Sequence, residues 1–96
     1  MLILITYDVE TTSEGGKKRL RQVAKQCTNF GQRVQNSVFE CLVDAAQYAE
    51  LRNRLERIID PTKDSLRFYE LGNRWRNRVE HIGVRPSYDP ESTLII

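Results

Sequence analysis

The sequence carries a short aliphatic stretch, Met1-Leu2-Ile3-Leu4-Ile5-Thr6-Tyr7-Asp8-Val9, whose character changes at its end. The unbroken aliphatic run from Leu2 to Ile5 indicates that both faces of this segment are buried. Because the run is too short for a buried helix, it predicts a central β-strand. Asp8 follows at the C-terminal end, and an aspartate is a poor strand former that is costly to bury unpaired. Asp8 is therefore either a strand-terminating turn residue or part of a site, and this stretch leaves both interpretations open.

The composition is that of an ordinary globular domain with an uneven distribution of charge. A chain of 96 residues, 40% hydrophobic and 29% charged, forms one domain with a modest core, and such chains often gain stability by self-association. The net charge of +2 does not by itself indicate a nucleic-acid binder. Between residues 17 and 33, however, there is no acid, and the basic residues there are Lys17, Lys18, Arg19, Arg21, Lys25 and Arg33.

Several classes of protein are excluded by what the sequence lacks. No apolar run approaches the roughly 20 residues of a membrane span, and no signal peptide or glycine-rich phosphate loop is recognisable. Cys27 and Cys41 lack metal-ligand spacing and fall on predicted apolar faces, so they are interpreted as reduced core thiols of a cytoplasmic protein. His81, the single histidine, cannot build a histidine-rich metal site and is interpreted as structural.

Two amphipathic helices are predicted from apolar residues at helical spacing. The buried stripe of the first consists of Leu20, Val23, Ala24 and Cys27, and that of the second of Tyr48, Leu51, Leu55 and Ile58 or Ile59. The candidate N-caps of the first are Thr11, Thr12 and Ser13. Gly31 is expected to end it in a left-handed cap. Asp44 and Gln47 form a loose capping box at the start of the second, which Asp60-Pro61 ends.

The remaining segments alternate with period two or turn the chain. Extended pieces are predicted at 33–35 and 38–43, and Asn36-Ser37 between them is either a tight turn or a β-bulge. Another strand is expected over 64–71, and a possible edge-like strand follows over 75–82, which includes Trp75 and its flanking arginines.

This order of elements predicts an α+β fold, a ferredoxin-like βαββαβ sandwich over residues 1–82 with both helices on one face of the sheet. Residues 83–96 are expected to form a C-terminal extension. Its apolar end, Leu94 to Ile96, would add an extra strand to a sheet edge, either its own or that of a partner subunit.

The residues that could carry chemistry are one acid and several guanidiniums. Asp8 follows Tyr7 at the strand end, and Arg19, Arg21 and Arg33 come after it. A carboxylate with arginines and no histidine base suits a divalent cation and phosphate oxygens. One aspartate is too little to hold a metal ion, so the hypothesis is that two copies of Asp8 meet across a two-fold axis and share one cation.

Each candidate also has a plain structural interpretation. Arg19 and Arg21 can belong to a solvated helix face, and Arg33 can pair with an acid on a neighbouring strand. Phe39 can belong to the core instead of stacking on a base, and Ser37 can be a turn residue. The combination, more than any single member, favours a site.

Five segments together resemble a known family. They are residues 1–9, Lys-Arg-Leu-Arg-Gln-Val-Ala-Lys at 18–25, Gly-Gln-Arg-Val-Gln-Asn-Ser-Val-Phe-Glu-Cys at 31–41, Asp-Ser-Leu-Arg-Phe-Tyr-Glu-Leu-Gly-Asn at 64–73 and Arg-Val-Glu-His-Ile-Gly at 78–83. They are similar to the small CRISPR-associated nuclease family that partners the spacer integrase, in its type I-C subtype.

The resemblance implies a homodimer of ferredoxin-like protomers in which the C-terminal strand crosses to the partner's sheet. It implies a Mg²⁺-dependent endonuclease, with Mn²⁺ as a possible substitute, that acts on single-stranded RNA or double-stranded DNA. It also implies a place beside the integrase, holding the incoming DNA during spacer acquisition.

The family's site residues match positions of this chain. The metal aspartate corresponds to Asp8, and the other catalytic positions are Tyr7, Arg33 and Phe39. The nucleic-acid contacts are Arg19, Arg21 and Ser37, to which the solvated helix face adds Lys18 and Lys25.

Two functions are therefore predicted. The first is a metal-dependent phosphodiesterase in spacer acquisition, and the second is a non-catalytic DNA-binding adaptor of the integrase complex. A third alternative, a ferredoxin-fold RNA-binding module or toxin nuclease, is disfavoured, because the predicted sheet lacks the paired exposed aromatics that such a module would present.

Overall fold

A central antiparallel strand organises the molecule. The computed structural model describes residues 1–83. The described elements are β1 (Leu2–Asp8), α1 (Glu14–Phe30), β2 (Gln32–Gln35), β3 (Val38–Leu42), α2 (Ala45–Ile58), β4 (Ser65–Gly72) and a 3₁₀ helix (Trp75–Asn77). The sheet has the order β2-β3-β1-β4, and β1 pairs antiparallel with both β3 and β4. This arrangement confirms the predicted α+β, ferredoxin-like βαββαβ fold with the first strand at its centre.

Both helices cover the same face of the sheet. The core cluster joins alternate residues of β1, among them Ile3 and Ile5, to Val23 of α1 and to Leu51 and Leu55 of α2. Both predicted helical stripes are thereby confirmed. The opposite face, called the open face below, carries Leu4, Thr6, Asp8, Val38, Glu40, Leu42, Arg67 and Tyr69. Neither α-helix packs on the open face.

The N-termini of the helices are capped by their own sequence. The Ser13 hydroxyl accepts a hydrogen bond from the Gly16 N–H at 3.1 Å, which selects Ser13 among the three candidates for α1. Asp44 and Gln47 form the predicted reciprocal capping box at the start of α2.

The predicted left-handed cap at Gly31 is wrong. Gly31 has φ −167° and ψ −159°, an extended conformation that any residue adopts. A glycine is needed there for space, because a Cβ atom at Gly31 would overlap the carbonyl oxygen of Glu40 and crowd the side chain of Cys41.

The segment around Asn36-Ser37 combines both features that the sequence left open. β2 and β3 are separate strands joined by a turn, and their pairing shifts register between Arg33 and Gln35. The turn lies next to the end of β1, since the Tyr7 N–H donates to the carbonyl of Ser37 at 3.1 Å.

The strand suggested over 75–82 is wrong. After β4, Gly72 turns the chain at φ +78°, and a 3₁₀ turn buries Trp75 to 7% exposure while Arg74, Arg76 and Arg78 stay exposed. In this charged segment the chain therefore buries the Trp75 ring in a 3₁₀ turn and does not pair as a strand. The extra C-terminal strand predicted within 83–96 lies beyond the described residues, except for Gly83.

Neither α-helix in residues 1–83 has the length and hydropathy of a membrane span.

Candidate functional site

Asp8 is an exposed carboxylate at the end of the central strand. It is the last residue of β1 and faces Ser65 at the start of β4. The strand alternates, so Tyr7 and Val9 on either side of Asp8 are buried against the helices while Asp8 projects from the open face. Asp8 accepts no hydrogen bond and enters no ion pair within residues 1–83, so its oxygens are available to a ligand.

Arg19 is bound to acids of its own chain. Its Nε donates to Oδ2 of Asp64 at 2.8 Å, and its second guanidinium nitrogen reaches Oδ1 of Asp64 at 3.3 Å and Oε1 of Glu10 at 3.5 Å. The Asp64 side chain is completely buried and also accepts the backbone N–H groups of Glu10 and Asp60. These groups, Arg19, Glu10 and Asp64, are called the Asp64 cluster below. The cluster joins α1 to the loop after β1 and to the start of β4.

The electrostatics of the Asp64 cluster favour the ionised acids. Burial by itself raises the pKa of Asp64, but hydrogen bonds from Arg19 and from the two backbone N–H groups outweigh it and hold that pKa below its ordinary value. Hydrogen bonds from Thr12 and Ser13 lower the pKa of Glu10 to about 2. The cluster is thus charged at neutral pH. Asp64 was not predictable as part of the site, because nothing in the local sequence pattern shows that it meets Arg19, 45 residues earlier in the chain.

Tyr7 and Phe39 lie on the helix side of the sheet, away from the Asp8 carboxylate. Phe39 is fully buried, Tyr7 is 6% exposed, and their rings stack with centroids 6.2 Å apart. Burial raises the pKa of Tyr7, and its hydroxyl donates to the carbonyl of Asn36. Phe39 therefore belongs to the core, which is the plain structural interpretation given above, and we assign a packing role to both rings.

Arg33 covers the edge of this aromatic pair. Its guanidinium carbon lies 5.1 Å from the Phe39 ring centroid, and one nitrogen donates to the Asn36 carbonyl at 2.9 Å. The Arg33 side chain is exposed, and no acid pairs with it in residues 1–83. Because Arg33 lies opposite Phe39 in the pairing of β2 with β3, it is at the Asp8 end of the sheet but on its helix side. Ser37 occupies the turn beside it, as its plain structural interpretation predicts.

The remaining predicted contacts lie on the outer surface of α1. Lys18, Arg21 and Lys25 are exposed and share the side of α1 opposite its buried residues, a surface called the basic stripe below. The sheet and the helix layer separate the basic stripe from the open face. One phosphate therefore cannot contact Asp8 and the basic stripe together. Among the residues of the open face, the cation nearest to Asp8 in the strand register is Arg67, which lies within the strand predicted over 64–71 but was not predicted as a site residue.

Asp8 is the carboxylate of this site that would hold a divalent metal ion. No group of three or more histidine, cysteine or acidic side chains in residues 1–83 has the geometry to hold a metal. A Mg²⁺ ion is commonly held by one or two carboxylates and keeps several waters. The exposed Asp8 fits that donor set when a second Asp8 completes it.

The fold and the site define a class of protein: a small ferredoxin-like protein with an exposed carboxylate at the end of its central strand. The family model described as "CRISPR associated protein Cas2" matches residues 1–79. The chain therefore belongs to the Cas2 family, and the family resemblance noted in the sequence is confirmed, while the type I-C subtype stays a prediction.

Named relatives and solved structures agree. The chain is 62% identical to a "CRISPR-associated endonuclease Cas2" of Halalkalibacterium halodurans, over 99% of each chain. It is 58% identical to a "CRISPR-associated endoribonuclease Cas2" of Nitratidesulfovibrio vulgaris, over 100% of this chain and 94% of the relative. The crystal structure of Streptococcus pyogenes Cas2 at pH 6.5 is similar with a TM-score of 0.75 and 55% identity, over 86% of this chain and 100% of that one.

Proposed function

We propose that this protein is a metal-dependent endonuclease that hydrolyses phosphodiester bonds of single-stranded RNA or double-stranded DNA during CRISPR spacer acquisition. The observation that carries the proposal is the exposed Asp8 carboxylate at the end of β1, which has no ion-pair partner among residues 1–83. The names of the relatives, endonuclease and endoribonuclease, support the same reaction class for this chain.

The active form in this proposal is a homodimer that packs through the open face. Leu4, Val38 and Leu42 are only half-buried there, and Tyr69 is 43% exposed. Joining two open faces would remove this apolar surface from water and bring two Asp8 carboxylates toward one cleft. The extension from residue 83 to 96, predicted to reach the partner's sheet, belongs to the same proposal, as does the spacer integrase as the partner complex.

Each part of the site then has a defined task. A Mg²⁺ or Mn²⁺ ion supplies Lewis-acid polarisation of the phosphate and activation of water. The two Asp8 carboxylates would hold the ion and offset its positive charge. Arg33 lies on the helix side of the sheet, so in this proposal it contacts the nucleic acid beside the phosphate that meets Asp8. Arg19 is a positioning residue, because Asp64 fixes the backbone of Glu10 and precedes Ser65, which pairs with Asp8.

Cleavage assays with highly purified protein test this function. Single-stranded RNA and duplex DNA are incubated with Mg²⁺, with Mn²⁺ and with excess chelator. Asp8→Asn is expected to lower kcat by about a hundredfold or more, since it removes a ligand of the catalytic cation. Glu56→Gln, which changes an exposed carboxylate on α2, serves as the control and keeps full activity. Chelator-insensitive cleavage, or an Asp8→Asn protein as active as the control, contradicts the proposal.

A second candidate, a DNA-holding adaptor, is favoured by the position of the basic stripe. Lys18, Arg21 and Lys25 have no acidic partner in residues 1–83 and lie away from Asp8, so they can contact phosphates without any role in chemistry. Replacing both Lys18 and Lys25 by alanine should weaken the salt dependence of duplex-DNA binding. The slope of log affinity against log salt concentration should fall in magnitude by about 2 for each chain that contacts DNA. Arg57→Ala with Lys63→Ala removes the same charge elsewhere and should leave the slope unchanged.

The two candidates differ in their dependence on Asp8. If the scaffold alone matters, Asp8→Ala abolishes cleavage and spares spacer acquisition. If the nuclease matters, both are lost.

A further inference from the structure

The open face carries a second charged group close to Asp8. In the pairing of β1 with β4, Asp8 lies opposite Ser65 and Thr6 lies opposite Arg67. Directly opposed residues of an antiparallel pair project from the same face, so Asp8 and Arg67 are diagonal neighbours on the open face. Diagonal neighbours are about 7–8 Å apart at their Cα atoms, which is within reach of a long side chain.

The Arg67 guanidinium is not committed to an acid. It is exposed, and no carboxylate in residues 1–83 lies within ion-pairing distance of it. The hydrogen bond that the structure gives it runs from one guanidinium nitrogen to the Tyr69 hydroxyl at 3.3 Å. A guanidinium has five N–H donors in a planar fork that matches two phosphate oxygens, so most of its donors remain for a ligand.

The other arginines of the predicted site are placed differently. Arg19 is held by Asp64 and Glu10, and Arg21 belongs to the basic stripe on the far side of α1. Arg33 lies on the helix side, over the Phe39 ring. A phosphodiester in the cleft between two open faces adds its negative charge to those of the Asp8 carboxylates, so a nearby guanidinium would lower their repulsion beyond what one divalent ion offsets. Arg67 supplies such a guanidinium on the same face.

We propose that Arg67 binds the non-bridging oxygens of the nucleic-acid phosphate that lies at Asp8. For this its guanidinium turns from the Tyr69 hydroxyl, which lies two residues farther from Asp8 along β4, toward the phosphate. The inference rests on the proposed function, because it names the group that binds the substrate of that same site. It assigns this role to a residue of β4 and replaces the direct phosphate contact that the sequence predicted for Arg19.

A purely structural explanation makes a different prediction. If Arg67 instead forms an ion pair with an acid of a second copy across the open face, its removal would dissociate the dimer. If it only packs against Tyr69, its removal would lower stability without changing nucleic-acid binding. The test therefore needs binding, mass and stability read on the same variants.

The primary measurement is the affinity for a short duplex DNA and for a single-stranded RNA in excess chelator, followed by fluorescence anisotropy. No cleavage occurs under these conditions, so the result does not depend on the chemistry. Arg67→Ala is expected to weaken binding by about tenfold, as for loss of a charge-assisted bidentate contact, and Arg67→Lys by less because the charge remains. Arg57→Ala, which removes an exposed arginine of α2, is the matched control and should bind like the wild type.

Light scattering and thermal melting complete the experiment. The proposal expects Arg67→Ala to keep the wild-type mass and melting temperature. Wild-type affinity of Arg67→Ala for both nucleic acids overturns it, and so does weakened binding that is fully explained by dissociation of the dimer.

Cleavage separates this inference from the proposed function. If the wild type cleaves and Arg67→Ala cleaves with unchanged kcat and KM, the Arg67 proposal fails while the nuclease stands. If the wild type does not cleave at all, the nuclease fails, and the binding data in chelator still decide whether Arg67 holds phosphate.

Discussion

At the scale of single residues, the Asp64 carboxylate holds together the loop after β1, helix α1 and the start of β4, next to Asp8. It is fully buried and accepts from Arg19 and from the backbone N–H groups of Glu10 and Asp60. Asp64→Ala would leave these donors without an acceptor in a place that water reaches poorly. We expect it to lower the free energy of unfolding by about 3 kcal/mol, measured by urea denaturation. Glu56→Gln, at an exposed acid, should change it little, and equal stability of the two variants would contradict the assignment.

The pH dependence of that loss follows from the direction of the pKa shift. The pKa of Asp64 is lower in the native protein than its ordinary value of 3.8. Its contribution to stability is therefore complete above the ordinary pKa and is lost as the pH falls through the lower native value. The difference in unfolding free energy between wild type and Asp64→Ala should accordingly shrink as the pH falls below about 4. A difference that grows in acid would contradict the shift.

The two cysteines give a second prediction at this scale. Cys27 and Cys41 are fully buried, and burial raises the pKa of each thiol to about 12. Since the thiolate is the reactive form, neither should react with a thiol reagent at pH 8 on the timescale in which a free thiol does. Both should react when urea unfolds the protein. Rapid labelling of a native cysteine would contradict the packing around it.

At the scale of the element, the first turn of α1 contains two neighbouring glycines with opposite surroundings. A Cβ at Gly16 would overlap the Glu10 carbonyl, whereas at Gly15 the nearest atom, from Arg19, is 3.5 Å away. We expect Gly16→Ala to destabilise the protein by about 3 kcal/mol or more, because the loop after β1 would have to move. Gly15→Ala should be neutral or stabilise by up to about 1 kcal/mol, because glycine is a poor helix former.

Thermal or urea unfolding of the two variants checks this contrast. The Gly16→Ala protein should also lose cleavage if it folds, since the displaced loop leads directly from Asp8. A tolerated Gly16→Ala substitution would show that the approach of α1 to the loop is less close than the structure shows.

The elements themselves were largely predictable from the sequence, and the reason is local. The caps at Ser13 and Asp44, the helical stripes and the central strand depend on spacings within one turn or one strand. The strand expected over 75–82 is absent: the chain instead forms a 3₁₀ turn in which Trp75 is buried, and such tertiary burial is not visible in the local sequence.

The site was only partly predictable, because its groups come together across the sheet. The exposure of Asp8 follows from alternation along β1. The binding of Arg19 by Asp64 requires contact between α1 and β4, and the place of Arg67 beside Asp8 requires the register of β1 with β4. Neither of these two contacts can be predicted from the spacing of residues within one helix or strand.

At the scale of the whole molecule, the structure separates two surfaces. Asp8 and Arg67 lie on the open face, and the basic stripe lies on the outer side of α1. A homodimer joined through the open face would enclose the first surface in a cleft and leave the second exposed on both flanks. The nuclease and the DNA-holding adaptor are then compatible in one protein, because each uses its own surface.

The central claim is that Asp8 acts as one half of a pair. The most direct test is a titration of the wild-type protein with Mn²⁺, followed by calorimetry and by the electron paramagnetic resonance signal of the free ion, with the mass of the protein measured by light scattering. The account predicts one Mn²⁺ bound for every two chains and loss of that binding in Asp8→Asn, with the dimer intact in both. One Mn²⁺ for every chain, or the same binding in Asp8→Asn as in the wild type, would contradict it.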